Sequence, residues 1–205
     1  MGDLLPYING EKHGKVFGIT LDDGYENNLR CALPILKRYG FSSTCYIVAN
    51  QVGKTNSWDL ERGVIQVPLM NVRQLQAWVD AGQEVGSHSL NHANLETLSD
   101  AEQAIEISQS KTQLEALVQQ KAGVKHFCYP YGSLNKTAVQ NVKASGYLTA
   151  TTTVRGRAVQ GQSDPLLLPR VLVSRTTTWM QLLLKCLSGY EDKRAVKHPN
   201  DVYAT

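Results

Sequence analysis

The chain has 205 residues, with 21 Lys and Arg against 18 Asp and Glu, giving a formal charge of +3. That mild balance, with no run of five basic residues, excludes a phosphate-tracking surface, so nucleic acid is not an expected partner. At 42% hydrophobic, with 16 Gly and 7 Pro, the composition also excludes collagen-like, coiled-coil and disordered classes. It suits a single globular domain over residues 1–205. No stretch approaches the roughly 18 consecutive apolar residues of a membrane helix. The opening MGDLLPYINGEKHGK lacks the order of a basic segment followed by an apolar one, and Cys31, Cys45, Cys128 and Cys186 form no C-x-x-C pair. A reducing, cytoplasmic setting is therefore expected, with the cysteines as small buried hydrophobes.

Apolar β-branched runs alternate with helical patterns along the chain, which is the signature of a parallel α/β architecture. Val16–Leu21 reads as a buried strand that ends in Asp22-Asp23-Gly24. Asn28–Tyr39 reads as a helix, with Pro34 starting or kinking its main part and Gly40 closing it. Strand Ser43–Val48 follows, then a loop from Ala49 to Met70, helix Val72–Ala81 stopped at Gly82, and strand Glu84–Ser87 running into a histidine pair. Ser99 and Glu102 have the S-x-x-E spacing of a capping box, which predicts a helix from Ser99 to Gly123 with a stripe of Ala104, Ile107, Leu114, Leu117 and Val118 facing the core. Strand Phe127–Pro130, helix Lys136–Ala144, strands Leu148–Thr153 and Pro169–Val173, and a last helix at about Thr178–Leu187 before a polar tail complete the order.

Three polar groups each follow a strand: Asp22-Asp23 the first, His88 and His92 the third, and Tyr129-Pro130-Tyr131-Gly132 the fourth. Loops leaving the carboxyl ends of parallel strands gather on one face, so these segments should converge. Alone, Asp-Asp-Gly fits a plain turn and two histidines four apart fit a solvated helix face. Together they supply two imidazoles and a carboxylate, a set that leaves open positions on a catalytic metal. A second Asp beside the ion could take a proton from a water whose pKa the metal lowers toward about 7. That chemistry is metal-assisted hydrolysis of an amide or ester.

The string Thr20-Leu21-Asp22-Asp23-Gly24-Tyr25 resembles the T-F-D-D-G first motif of polysaccharide deacetylases, the NodB-homology enzymes of carbohydrate esterase family four. His88-Ser89-Leu90-Asn91-His92 matches their H-[ST]-x-x-H motif, and Phe127-Cys128-Tyr129-Pro130-Tyr131-Gly132 extends the likeness, which runs from about residue 16 to 174. The resemblance implies a distorted (β/α) barrel of about seven strands. It implies that Asp23, His88 and His92 hold one divalent metal, that Asp22 is the general base, and that the Tyr131 backbone N–H helps hold an oxyanion. Zinc leads on ligand chemistry, with cobalt, nickel, manganese or iron as alternatives. The implied reaction is removal of N-acetyl, or O-acetyl, groups from an acetylated amino sugar or polysaccharide. A small-molecule amidohydrolase or deformylase, or a carbohydrate-binding module that kept the pocket, are the rival readings.

The chain departs from the family pattern in places. Cys128 stands where the third motif has an arginine, and Arg170, in Leu168-Pro169-Arg170, is the candidate to orient Asp22 from a neighbouring strand. The D-x-x-D-W motif is not present, and the string nearest to L-x-H is Leu172-Val173-Ser174, which carries no histidine. The proton for the leaving amine would then come from Asp22 or a metal-held water. Trp58 and Asp59 lie in the long loop, where a Trp face could stack on a sugar or anchor the loop. His13 and His198 read as solvated surface, and His126 as lying on the face opposite the site.

Overall fold

Six parallel strands, paired in chain order, form one curled sheet in the computed structural model, which describes residues 1–194. They are β1 (Ile19–Leu21), β2 (Ser43–Ile47), β3 (Glu84–Ser87), β4 (His126–Cys128), β5 (Thr149–Arg155) and β6 (Leu168–Arg170). The sheet is a half-barrel of six strands, fewer than the seven the resemblance implied. After Arg170 the chain does not extend the sheet: Leu172 and Val173 are exposed, and a turn closed by Thr177 N–H on the Ser174 carbonyl leads into a helix. Among the described residues no ladder joins β6 to β1. The polar tail, with His198, lies outside the described residues.

The helices are α1 (Leu5–Ile8), α2 (Leu33–Tyr39), α3 (Val72–Asp80), α4 (Asp100–Leu117), α5 (Lys136–Ala144) and α6 (Trp179–Leu187). Every residue of β2 is buried, as expected of a parallel strand covered on both faces. Leu75 and Trp78 of α3, Ile107 and Leu114 of α4, and Ala138 and Val142 of α5 close over Val85, Phe127 and Ala150 in one core cluster. Each fully buried large side chain there contributes roughly 1.5–3 kcal/mol.

Local differences from the sequence reading have local causes. The segment expected as one helix from Asn28 begins as a wide turn over Asn28–Ala32, and α-helical bonding starts at Leu33, so Pro34 falls where its missing N–H is not needed. Ser99 and Glu102 form the capping box as read, but α4 ends at Leu117 rather than Gly123. Val118 turns extended, and the Gln120 side chain then pairs with strand β3, accepting from Val85 N–H at 2.7 Å and donating to its carbonyl at 3.0 Å. The inner face of α4 is also less apolar than its stripe suggested, since Gln103, Glu106 and Ser110 are buried on it. Cys45 and Cys128 are buried, but Cys31 and Cys186 are exposed, a correction to the expectation for all four. Cys186 follows Lys185, the one buried residue of α6, and so faces away from the body of the protein.

Candidate active site

The carboxyl ends of β1, β3 and β4 bring the three polar groups together. Asp23 sits at φ 72° and Gly24 at φ 80°, so the chain leaving β1 makes a left-handed turn. A Cβ on Gly24 would stand 2.8 Å from the Ile47 side chain, which explains why glycine follows the two aspartates. His88 and His92, leaving β3, both aim Nε2 at one oxygen of Asp23, at 3.5 and 3.4 Å. Four non-glycine residues have positive φ among the described residues, namely Asp23, Ser89, His92 and Tyr131, and all four lie here. Strain of this kind, about 1–3 kcal/mol each, concentrates at functional sites.

The three side chains fit a metal. Ligand atoms of Asp23, His88 and His92 lie within 4.8 Å of one another. Atoms bound tetrahedrally at zinc distances stand roughly 3.4 Å apart, close to the separations found. His88 Nδ1 lies 2.7 Å from the Cys128 carbonyl, an acceptor, so that nitrogen carries the proton and Nε2 keeps its lone pair for the cluster. Burial favours the neutral form of His92 and outweighs the opposing pull of Asp23, so its pKa is lowered. For Asp23, burial alone would raise the carboxyl, but the His92 hydrogen bond, the charges of His88 and His92 and the Tyr25 hydroxyl hold it below its ordinary value. Neutral imidazoles and an ionised carboxylate are the forms a divalent ion takes. Asp22, His88 and Cys128 also converge; burial pushes the Cys128 thiol up, and the Asp22 carboxylate is already taken by Arg170.

Asp22 has a different neighbour. Arg170, from β6, donates from Nη1 to Asp22 Oδ1 at 2.7 Å and from Nη2 to Oδ2 at 2.9 Å, while its Nε donates to the Thr152 carbonyl at 2.8 Å. The guanidinium thus bridges the open side of the half-barrel between β6 and β1. Cys128 lies beside this pair, with Sγ 3.9 Å from Asp22 Oδ2. Burial alone would lower the Arg170 pKa, but the charge and hydrogen bonds of Asp22 raise it, so it stays cationic.

Two aromatic rings enclose His92. The Trp58 ring stacks on it at 4.7 Å and 21°, and the Tyr131 ring meets it edge-on at 4.4 Å. That Trp58 face is therefore occupied by imidazole rather than open to a sugar. Arg62, in the same Ser57–Arg62 turn, lies over the Tyr131 ring at 4.5 Å and reaches Asp59 at 3.5 Å. Sequence reading passed over Arg62; its place one helical turn after Trp58 was the available signal. His13 is exposed, and His126 sits at the opposite end of the strands, between Glu84 and Thr149.

A parallel half-barrel with this strand-end cluster is a hydrolase scaffold of the NodB-homology type. Residues 9–150 match the polysaccharide deacetylase family, and the chain belongs to it. It is similar to the poly-beta-1,6-N-acetyl-D-glucosamine N-deacetylase of Staphylococcus aureus (strain MRSA252), 27% identical over 195 residues, covering 93% of this chain and 66% of that protein. The enzyme of the same name from Staphylococcus epidermidis is 24% identical over 204 residues, with the same coverage. The chain spans about half to two thirds of the length of the curated relatives it matches. Its fold is similar to Streptococcus pyogenes deacetylase PplD in complex with acetate (TM-score 0.76, 23% identity, 90% of this chain and 77% of that one). It is equally similar to IcaB from Ammonifex degensii (TM-score 0.76, 22% identity, 91% and 80%). No helix among the described residues is long and apolar enough to cross a membrane.

Proposed function

We propose that this protein is a metal-dependent hydrolase that removes acetyl groups from an acetylated amino sugar, with Asp23, His88 and His92 holding the metal and Asp22 as base. The observation that carries this reading is the meeting of both histidine Nε2 atoms at one oxygen of Asp23, beside an Asp22 held by Arg170. A divalent ion bound there, zinc being favoured by the nitrogen and oxygen ligands over cobalt, nickel, manganese or iron, would polarise the amide carbonyl and acidify a water.

The chain's own residues do the rest. Each Asp22 oxygen accepts one N–H from Arg170 and keeps a further lone pair, so the carboxylate is fixed in place and still able to accept a proton from water. Arg170 is a positioning residue in this scheme. The Tyr131 backbone N–H is the candidate donor to the oxygen that becomes negative as the carbonyl is attacked, an interaction that is worth about 3 kcal/mol. Trp58 and Tyr131 shield His92 from water. Amide and water then give amine and acetate. The names of the Staphylococcus relatives point to an N-acetylated glucosamine polymer as the substrate class.

Acetate release from N-acetylglucosamine oligomers, measured on chelator-stripped and metal-reloaded protein, tests the proposal. Release that depends on the metal is expected. Release unaffected by chelator, or none from any acetylated saccharide after reloading with zinc and cobalt, would overturn it.

A further inference from the structure

The turn that carries the histidine pair is held open by its surroundings. Ser89 at φ 63° and His92 at φ 60° both occupy left-handed backbone, which L residues adopt when other groups hold them there. On one side the turn Ala49–Gln51 that follows β2 holds it: Ala49 N–H donates to the Ser89 carbonyl at 3.1 Å and Asn50 N–H to the Leu90 carbonyl at 2.9 Å. Within the turn, His92 N–H donates to Ser89 Oγ at 3.0 Å. The N–H groups of Leu90 and Asn91 take a partner outside the turn.

Both go to one side chain on α4. Glu106 Oε2 accepts from Leu90 N–H at 3.0 Å and Asn91 N–H at 2.9 Å, and Oε1 accepts from Asn91 Nδ2 at 2.6 Å. Asn91 is oriented for this by Asn50, whose Nδ2 donates to Asn91 Oδ1 at 2.8 Å. Glu106 is 7% exposed and forms no ion pair with Lys, Arg or His among the described residues. A carboxylate buried without a cation is costly, and here three convergent N–H groups take the cation's place.

We infer that Glu106 is a positioning residue: it fixes the left-handed turn from which His88 and His92 present Nε2 to Asp23, and thereby sets the affinity for a divalent metal. This rests on the reading of Asp23, His88 and His92 as metal holders. The inference concerns the turn between the ligands rather than the ligands themselves, since Glu106 bonds to Leu90 and Asn91 and not to either imidazole.

The bonding pattern supplies its own test. Glu106→Gln keeps the shape and one acceptor oxygen, but its amide nitrogen then faces the Asn91 side-chain donor. Adding Asn91→Asp reverses that partner to an acceptor, satisfies the new amide and restores the net charge. Zinc affinity of the chelator-stripped full chain is measured by competition with a chromophoric chelator, alongside thermal unfolding without metal and amide exchange at Leu90 and Asn91. Glu106→Gln is expected to raise Kd about 10-fold or more and the double variant to recover most of that, on the scale found for residues that orient metal ligands. Exchange at the two amides should rise in Glu106→Gln and fall again in the double variant. A Glu106 that merely stabilised the fold would lower the unfolding temperature and leave Kd unchanged, and that result, or a double variant no better than Glu106→Gln, overturns the inference. Wild-type protein that binds no zinc overturns the metal reading, and this inference with it; full zinc binding in all variants overturns this inference alone.

Discussion

Each end of the central strands carries a histidine against a carboxylate, and the two ends differ in what surrounds the pair. At the amino ends, His126 Nε2 lies 3.4 Å from Glu84, and its Nδ1 lies 2.8 Å from Thr149 Oγ1. The same carboxylate accepts from Thr44 and from the amino group of Met1, both at 2.5 Å. Both ring nitrogens are engaged there, and no residue of that cluster has positive φ. At the carboxyl ends the distances are nearly the same, 3.4 and 3.5 Å, but two imidazoles share one oxygen, His92 Nδ1 is buried with no partner among the described residues, and the backbone is strained. Distance alone does not separate a structural pair from a candidate metal centre. Satisfied hydrogen bonds and relaxed backbone do.

The sharpest way to break this comparison is to remove one histidine from each end. His88→Ala should abolish stoichiometric metal binding and metal-dependent turnover. His126→Ala should lower the unfolding temperature and leave metal binding intact. Elemental analysis and thermal unfolding check both, and equal metal loss in the two variants would erase the distinction. Next, Asp22→Asn should keep the metal and lower kcat by about 100-fold or more, the scale of a lost general base. Joint loss of metal and turnover would make Asp22 a ligand.

The amino-end cluster predicts a pH-dependent stability. Burial alone would raise the Glu84 carboxyl, but the His126 hydrogen bond and charge, with the Met1 amino group, hold it well below its ordinary value of 4.5. A depressed carboxyl pKa stabilises the fold fully above that ordinary value, and the contribution is lost as pH falls below it. Glu84→Gln should therefore cost about 2 kcal/mol at neutral pH, as loss of a charged hydrogen bond does, with metal affinity unchanged. The gap between variant and wild type should narrow as pH falls below about 4.5, because the Glu84 carboxyl of the unfolded chain takes up a proton there while that of the folded protein stays ionised. A gap constant from pH 7 to 3 would show that the charge is not the cause. A smaller effect is expected at Arg170: Lys there keeps the charge but cannot donate to both Asp22 oxygens from one plane, and kcat should fall about 10-fold with KM and metal content intact.

Most of this contrast was open to sequence reading, and its limits are physical. The six apolar runs marked the six strands, β3 at both ends and the others to within three residues, because pairing stops where a turn begins; the first run was not the buried strand expected, since Val16 and Phe17 are exposed ahead of β1 and β1 is half-buried. The Asp-Asp-Gly and His-x-x-x-His spacings marked the strand-end face, since parallel topology alone brings those loops together. The partner of Asp22 was legible as a charge in a neighbouring strand, Arg170, although which side of the sheet it faced depended on where β6 began. Glu106 was not legible. A charged residue inside an amphipathic pattern reads as solvated, and the N–H groups that justify its burial belong to a turn whose left-handed residues, Ser89 and His92, carry no glycine to announce it. Trp58 likewise read equally as a sugar platform or an anchor until its stack on His92 was seen.

The smallest expected effect concerns the proton that the leaving amine needs. A histidine would suit this, since its ordinary pKa near 6.5 lets it carry a proton at neutral pH. Among the described residues, His88 and His92 are committed to the cluster, His13 is exposed, and His126 is bound at the far end of the strands. Ser174, at the string nearest to L-x-H, bonds to Thr176 and Thr177 and does not titrate in the useful range. In the proposed mechanism, Asp22, having accepted a proton from water, or a metal-held water would be left to give it to the amine. Esters, whose alkoxides depart with less help than amines, should then be cleaved relatively better than amides. The pH profile of kcat/KM should show an acid limb and no alkaline limb that disappears on replacing a histidine. Single His13→Ala, His126→Ala and His198→Ala variants should match the wild-type profile to within about 2-fold at each pH, a change too small to represent loss of a general acid. Disappearance of an alkaline limb in any one of them would identify a histidine acid and return the proton to the route that the family motif implies.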